Sequence, residues 1–306
     1  MRCRSCGQTA SINMPQHRLS LCKTHFLDWF CERTSQTIRK YKMLEDGQTV
    51  LVAVSGGKDS LALWDVLNRL GYKADGLYVD LGIESDIHYS ARSLEYASRF
   101  ALDHHLKLHV AATRELYGKD ITGFIQRGKH GQERPCSVCG LIKRRIFNTF
   151  PREHGYPVLA TGHNLDDEAA VLFSNTLNWD LDLLSRQGPV LAGSAYFTAR
   201  IKPFCRFYER ETAAYTLMRG IGYIEEECPF SVGSRTNFVK TLLNQLEIEQ
   251  PGAKLAFYSQ FIKQRQAGFL PSPEGQPVEM TLCPECGEPT TSTGKCAFCK
   301  LLDHTS

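Results

Sequence analysis

The sequence predicts an α/β protein built on a doubly wound parallel sheet, with a small cysteine-rich module at each end. Three observations carry this. Apolar runs alternate with stretches of helical period along the middle of the chain, the pattern of strands joined by crossover helices. One of those runs is uninterrupted and largely β-branched, as a strand buried on both faces must be. Cysteine and histidine pairs at metal-ligand spacing crowd both ends.

Bulk properties narrow the class. The 306 residues suffice for one large domain with appendages or for two modest domains. Hydrophobic residues make up 42% and charged residues 23%, which excludes a disordered chain. No run of about 18 apolar residues occurs, so no membrane-spanning helix and no membrane partner is expected. The start, Met1-Arg2-Cys3-Arg4-Ser5-Cys6, lacks the apolar stretch of a signal peptide. The expectation is a cytoplasmic protein whose thiols are kept reduced. A net charge of +3 permits an RNA partner through a local patch but does not argue for one.

The elements follow in order. Residues 26–43 lack Gly and Pro, and Phe26, Phe30, Thr34, Ile38 and Tyr41 recur at helical spacing. After a turn at 45–48, residues 50–54 (Val-Leu-Val-Ala-Val) form the first strand. A helix over 61–70 ends at Gly71, with Leu63, Val66, Leu67 and Leu70 on one face. Strands at 74–79, 108–110 and 157–161 alternate with helices at 92–106 and 166–178. Residues 209–218, 237–249 and 255–266 read as helices with no strand between them, a helical extension. The proline-rich stretch 271–277 is a linker. The predicted divisions are an N-terminal zinc module at 1–30, a catalytic domain at 31–230, the extension at 231–270 and a C-terminal zinc knuckle at 271–306.

Between the first strand and its helix stands Ser55-Gly56-Gly57-Lys58-Asp59-Ser60. A glycine pair lets the backbone turn tightly and brings N–H groups close to anionic oxygens. The helix N-terminus adds partial positive charge, Ser55 and Ser60 offer hydroxyls, and Lys58 a point charge. A bare Gly-Gly would be an ordinary β–α turn; the whole hexapeptide in its strand–turn–helix frame is a phosphate site. It is not a Walker A loop, which has four residues between its glycines and Lys-Ser/Thr at the end.

Twelve cysteines need a reason, and ten fall into ligand-like groups. Cys31 and Cys205 are left over and read as small buried hydrophobes. Cys136-x-x-Cys139 precedes a helix expected to begin near Gly140, and Cys228-Pro229 follows about 90 residues later. Such a pair serves as a redox dithiol, half of a zinc site or part of an iron–sulfur site. From residues alone, structural zinc with His163 or Cys205 as fourth ligand stands level with a cluster that leaves one metal position open.

The hexapeptide resembles the fingerprint of the PP-loop ATPases, which use ATP to adenylate a carbonyl oxygen and release pyrophosphate. Pro135-Cys136-Ser137-Val138-Cys139-Gly140-Leu141-Ile142-Lys143-Arg144, Thr161-Gly162-His163-Asn164-Leu165-Asp166-Asp167-Glu168 and Cys228-Pro229 extend the resemblance to the tRNA 2-thiolation branch of those enzymes. The match runs over essentially the whole chain. The segment 162–189 resembles the thiolases of the T-loop 5-methyluridine more than those of the wobble uridine. The resemblance implies a 4Fe–4S cluster on Cys136, Cys139 and Cys228, with one iron open to sulfur. It also implies Lys143 and Asp167 at the reaction centre, with ATP and Mg²⁺ bound by Ala53, Ser55, Gly56, Gly57, Lys58, Asp59, Ser60, Val79 and Gly162. The resemblance implies that Asp59 helps hold Mg²⁺. The implied partners are tRNA and a ubiquitin-like sulfur carrier with a C-terminal thiocarboxylate, and the implied assembly is a homodimer.

The residues agree with those roles. Lys143 lies one to two helical turns from the paired cysteines, where it can stabilise developing negative charge. Asp167 opens a helix after a strand end, at the rim where doubly wound sheets bind ligands, and there can orient Lys143 or the uracil ring. Taken alone, Asp167 would be a helix cap, with Asp166 competing, and Lys143 a solvated face.

Cys3, Cys6, Cys22 and His25 have the spacing of one structural zinc site, and Cys283, Cys286, Cys296 and Cys299 that of a second. Arg2, Arg4, Arg18, Lys23, Arg33, Arg39, Lys40 and Lys42 give the first module a basic surface suited to a nucleic-acid backbone. The glycine-rich basic segment 127–131 reads either as a cover over RNA or as an ordinary exposed loop. The expected activity is ATP-dependent 2-thiolation of the T-loop 5-methyluridine at tRNA position 54. The alternatives are the same chemistry on the wobble uridine, a non-catalytic zinc-dependent RNA-binding protein, and a PP-loop ligase for a small acid or amide.

Overall fold

The structure is a computed structural model that describes residues 1–45, 47–85, 87–127, 135–231, 235–270 and 280–303. The segment 128–131 and the linker 271–277 lie outside the described residues. A hairpin of β1 (Ile12–Met14) and β2 (Leu19–Leu21) leads into α1 (Lys23–Lys40). The central body then runs β3 (Thr49–Val54), α2 (Lys58–Arg69), β4 (Lys73–Asp80), α3 (Tyr89–Asp103), β5 (Leu108–Ala112), α4 (Thr113–Tyr117), α5 (Ile121–Arg127), α6 (Pro135–Glu153), β6 (Val158–Thr161) and α7 (Leu165–Leu177). After it come α8 (Leu181–Arg186), β7 (Val190–Leu191), β8 (Ala199–Ile201), α9 (Glu209–Arg219), α10 (Arg235–Glu249) and α11 (Ala253–Gln266). A last hairpin, β9 (Thr281–Leu282) and β10 (Pro289–Thr290), precedes α12 (Ala297–Asp303).

Six strands form the main sheet in the order β5-β4-β3-β6-β8-β7, parallel throughout except for β7. The chain starts at β3, builds outward through β4 and β5, then returns to place β6 on the other side of β3. The order therefore reverses between β3 and β6, and a crevice opens beyond their carboxyl ends. Register sets Ala53 beside Thr161 and Val54 beside Tyr78 at that edge.

The apolar run of β3 is buried on both faces because its side chains alternate between two cores. Val50, Val52 and Val54 join α1, α2 and α3 in one core; Leu51 joins α5, α6 and α12 in the other. Asp65 of α2 is fully buried, and its carboxylate accepts from Arg219 Nε (2.8 Å), Arg219 Nη2 (2.9 Å) and Tyr215 Oη (2.6 Å). Paired and bonded in this way it ties α2 to α9. So α9 packs into the body, while α10 and α11 lie against α7. Among the described residues, no helix is long and apolar enough to cross a membrane.

Several helices start earlier than expected: those expected at 26–43 and 61–70 span Lys23–Lys40 and Lys58–Arg69. The helix expected at 92–106 spans Tyr89–Asp103. The helix expected near Gly140 starts at Pro135, a residue whose fixed φ and missing N–H suit a first helical turn. Cys136 and Cys139 consequently lie on the helix rather than before it.

Candidate active site

Beyond the reversal point lies a cleft of about 440 Å³, a size usual for a small-molecule site. Ser55, Asp59 and Ser60 form one side, while Gly56 and Gly57, also expected at the nucleotide, do not line it. Gly56 has φ +74, and a Cβ there would lie 2.2 Å from the Ser93 carbonyl oxygen, so glycine is required for α3 to pack. Ser60 Oγ donates to the Gly57 carbonyl (3.0 Å) and accepts from Ser55 N–H (3.1 Å), fixing the turn. Gly57 is the N-cap of α2 and carries no side chain to cap the first turn, which leaves that turn open to an anion. On the opposite side Gly162 follows β6. A Cβ there would sit 2.9 Å from the Asp59 carbonyl and from Ser60 N, so glycine allows β6 to approach the loop.

Of the residues expected at the nucleotide, Ala53, Ser55, Asp59, Ser60, Val79 and Gly162 line the cleft, as do Lys143 and Asp167. Lys58 turns outward instead. Its Nζ meets Glu209 Oε1 (2.8 Å) and Asp59 Oδ2 (3.1 Å), beside a shallow recess with Gly57, Tyr223, Ile224 and Glu225. Asp59 is held from its other side by Thr212 Oγ1 and Asn164 Nδ2 (3.3 Å). Burial pushes its carboxyl up, against the pull of Lys58.

Asp167 has two partners. The N-cap of α7 is Asn164, whose side chain accepts from the N–H groups of Asp166 (2.9 Å) and Asp167 (3.2 Å). Asp167 Oδ2 accepts from Asn164 N–H (3.0 Å) in return, completing a capping box. Asp166, expected to compete as cap, is buried and pairs with Lys254 (2.5 Å). The remaining oxygen, Asp167 Oδ1, meets Lys240 Nζ at 2.5 Å. Lys240 comes from α10 and also reaches Glu209 Oε2 at 3.3 Å. Burial alone would lower its ammonium; Asp167 and Glu209 outweigh that and hold it above its ordinary value.

Sequence reading missed Lys240, because nothing local ties it to a residue 73 positions earlier. It also missed the wall built by Tyr78, Tyr89, Ser90, Ser93 and Phe147. Tyr78 Oη donates to the Ser90 carbonyl (3.0 Å), and burial pushes its phenol up to about 12. His163 lines the same cleft, its Nδ1 2.8 Å from Thr161 Oγ1.

Cys136, Cys139 and Lys143 share one face of α6, at positions i, i+3 and i+7. Val138, Ile142 and Ile146 anchor the helix in the second core. Cys228 stands before a short 3₁₀ turn at Pro229–Ser231 that packs on α6, and Cys136 Sγ donates to the Phe230 carbonyl (3.1 Å). The Cys139 thiol is pushed up by burial and drawn down by the Lys143 ammonium, and it feels Cys228 and Cys136 as well. Tyr89 joins the two places: burial pushes its phenol up to about 12, with Cys228 and Cys139 adding to the effect. Cys205 does not join this trio. It lies in the first core, across the sheet, fully buried, and burial pushes its thiol up to about 12.

The terminal quartets differ from the trio. Among the described residues, the groups whose ligand atoms all lie within 4.8 Å of one another are Cys3/Cys6/Cys22/His25 and Cys283/Cys286/Cys296/Cys299. Tetrahedral zinc with Zn–S of about 2.3 Å sets sulfur–sulfur edges of about 3.8 Å. Cys6 and Cys22 lie 3.8 Å apart, and so do Cys286 and Cys296. Burial would raise the Cys3 thiol, but N–H groups of Cys22, Cys6 and Ser5 bring it to about 6. Cys283 reaches about 6 through N–H groups of Cys296, Cys286 and Glu285. Cys6, Cys296 and Cys299 shift the other way, so within each quartet a thiol gives up its proton at the expense of neighbours.

Known proteins resemble this chain along its whole length. A tRNA-5-methyluridine(54) 2-sulfurtransferase of Thermus thermophilus is 48% identical over 303 residues, 99% of this chain and 91% of that one. The chain belongs to this family. A protein of the same name from Pyrococcus horikoshii is 39% identical, over 98% of this chain and 93% of its own. Residues 2–27 match the family model described as 2-thiouridine synthetase TtuA, N-terminal LIM domain. Among solved structures, the U34-tRNA thiolase NcsA from Methanococcus maripaludis with its [4Fe-4S] cluster superposes with a TM-score of 0.80 at 25% identity. That match covers 99% of this chain and 95% of that one.

Proposed function

We propose that the protein replaces the C2 oxygen of the T-loop 5-methyluridine at tRNA position 54 with sulfur, in two steps. First the C2 oxygen attacks the α-phosphate of ATP, an oxygen–phosphorus bond forms and pyrophosphate leaves. A sulfur nucleophile then adds to C2, and AMP departs with the original oxygen. One observation carries the reading: a single cleft at the sheet's reversal point is lined by the phosphate loop, Lys143 and Asp167, and Lys143 stands one helical turn from Cys139.

The roles follow from position. Ser55, Ser60, the N–H groups of Gly56 and Gly57 and the open first turn of α2 bind the phosphates. Ala53, Val79 and Gly162 wall the space beside them. Asp59 helps hold Mg²⁺, and Lys58 adds its charge from the outer side of the loop. Lys143 stabilises the charge that develops on the transferring phosphate and on the C2 oxygen. Asp167 faces the base. Cys136, Cys139 and Cys228 would hold a 4Fe–4S cluster; they approach one another without the tight spacing of the single-ion quartets, as a larger group between them requires. Such a cluster, with one iron free of protein ligands, supplies a place for sulfur to bind. The two quartets hold structural zinc.

The sulfur donor in this reading is a ubiquitin-like protein with a C-terminal thiocarboxylate, and the place is the cytosol, where these thiols stay reduced. The chain works as a homodimer; Phe238, Leu242 and Leu246 expose an apolar stripe on α10 that suits a second copy. The working parts are a zinc module at 1–30, a catalytic domain at 31–230, a helical extension at 231–270 and a zinc knuckle at 271–306.

The test is to incubate anaerobically purified protein, ATP, Mg²⁺ and sulfide with ribothymidine-containing tRNA and to map the thiolated nucleoside. Sulfur in the T-loop is expected. Sulfur at the anticodon alone would move the activity to the wobble uridine, and sulfur at neither would overturn the proposal.

A further inference from the structure

The cleft is bordered by a row of alternating charges drawn from four elements. Asp59 of α2 meets Lys58 Nζ at 3.1 Å, and Lys58 meets Glu209 Oε1 at 2.8 Å. The other oxygen of Glu209 meets Lys240 Nζ at 3.3 Å, and Lys240 meets Asp167 Oδ1 at 2.5 Å. Glu209 opens α9, Lys240 lies in the second turn of α10, and Asp167 lies in the first turn of α7. The row begins in the phosphate loop and ends at Asp167, a carboxylate that lines the cleft.

Lys240 is the member best placed to control Asp167. Asp167 Oδ2 is held by a single hydrogen bond from Asn164 N–H, which by itself restrains the carboxylate only weakly and leaves the other oxygen unbound. Lys240 takes that oxygen. A carboxylate bound at both oxygens has its plane fixed, and a mobile side chain becomes a preorganised one. The lysine is fixed in turn. Its side chain is 19% exposed, Val239 and Leu243 beside it pack against Ala169 and Ala170 of α7, and Glu209 holds the ammonium from the far side. An ammonium on a flexible stem, left in water, would do none of this.

We propose that Lys240 is a positioning residue of the reaction: it fixes the Asp167 carboxylate in the cleft and, through Glu209 and Lys58, ties it to the phosphate loop. This rests on the reading of the cleft given above. Lys240 does not line the cleft, so it acts through Asp167 and not on the substrate. The consequence is specific. Loss of Lys240 slows the adenylation step and leaves nucleotide binding largely intact, because the phosphate contacts lie at the other end of the row.

The experiment compares wild type, Lys240→Met, Lys240→Arg, Asp167→Asn and the double variant Lys240→Met/Asp167→Asn. The rate measured is tRNA-dependent release of pyrophosphate, the product of the adenylation step; the Kd measured is that of Mg-ATP. Lys240→Met should lower the rate between about 10- and 100-fold, the scale on which a misplaced catalytic group slows a reaction. The Kd should change less than about threefold, and Lys240→Arg should recover most of the rate. In the Asp167→Asn background, Lys240→Met should add little, because both changes remove one device. Additive losses in the double variant, an unchanged rate in Lys240→Met, or a Kd that rises as much as the rate falls would each overturn the proposal. Thermal melting of the same five proteins supplies a cycle independent of turnover. If the wild type consumes no ATP with tRNA, the reading of the cleft fails; if melting then shows no Lys240–Asp167 coupling, the positioning proposal fails separately.

Discussion

The terminal quartets and the internal trio are built from the same residue pair, Cys-x-x-Cys, and differ in how they are finished. Each quartet closes four ligand atoms to within 4.8 Å of one another, around hydrogen bonds from backbone N–H groups. The trio draws two thiols from one helix face and a third from a distant turn, beside a lysine and at the edge of a cleft. A closed ligand set holds chain segments together and leaves no room for substrate, whereas an open one adjoining a cleft leaves a position for chemistry. Ligand count and surroundings, not the motif, separate a staple from a reaction centre.

Three results would sharpen or break this contrast. The largest effect is expected at the trio. Changing Cys136, Cys139 or Cys228 to Ala should bring thiolation to background while the melting temperature moves by no more than about 3 °C, since Cys136 is exposed and the other two are half-buried. A variant that melts much earlier would make the trio a structural site. Anaerobic wild type should also carry iron in addition to zinc, and the three variants zinc alone.

The quartets should show the reverse, loss of stability first, and the N-terminal one more than the C-terminal one. Met14, Leu21 and Phe26 of the first module are buried in the main core, and Phe26 and Trp29 stack with ring centroids 5.8 Å apart. The second module rests on α6 through Phe298 and Glu288, and its strand β9 is exposed. Cys3→Ser/Cys6→Ser should therefore lower the melting temperature more than Cys283→Ser/Cys286→Ser, each losing about one zinc per chain. Equal effects would show that burial around the metal does not matter.

The smallest effect concerns Cys205. Its folded value, about 12, lies above its ordinary 9.0, so the neutral thiol is favoured in the native state. This contribution is full below pH 9 and is lost as pH rises from there toward 12. Cys205→Ala should flatten the decline in stability over that range, and Cys205 should resist alkylation in native protein at pH 8. Rapid alkylation there would contradict its burial.

Much of this was legible in the sequence, for physical reasons that differ from element to element. The strand–loop–helix at 49–69 was readable because what specifies it is local: an apolar β-branched run, a glycine at φ +74 in the turn, an open helix start. The terminal quartets were readable because ligand spacing is a covalent fact. The start of α6 was not read, although Pro135 and the spacing of Val138, Ile142 and Ile146 announce it, because a Cys-x-x-Cys pair suggests a turn. Strands β7 and β8 are two and three residues long, too short to show a period. Lys240 was out of reach altogether, since its meaning comes from the fold bringing α10 across α7.

The docking of the second module on α6 bears on how the protein is put together in time. Arg145 Nη1 lies 3.6 Å from Cys286 Sγ and 3.6 Å from Glu288, its guanidinium stands 5.6 Å from the Phe298 ring, and Arg152 also grips Glu288. Those arginines sit on the helix that carries Cys136, Cys139 and Lys143. In the proposed reading, a metal ion in the quartet holds the last two dozen described residues against that helix, and without it the helix would lack its brace and the thiols at its start a fixed bearing. On that reading the order of assembly follows from mechanics: the closed tail would come first, and the trio would be filled on a helix already set. Loss of the quartet's metal would then leave a chain with every reactive residue in place and no settled site in which to use them.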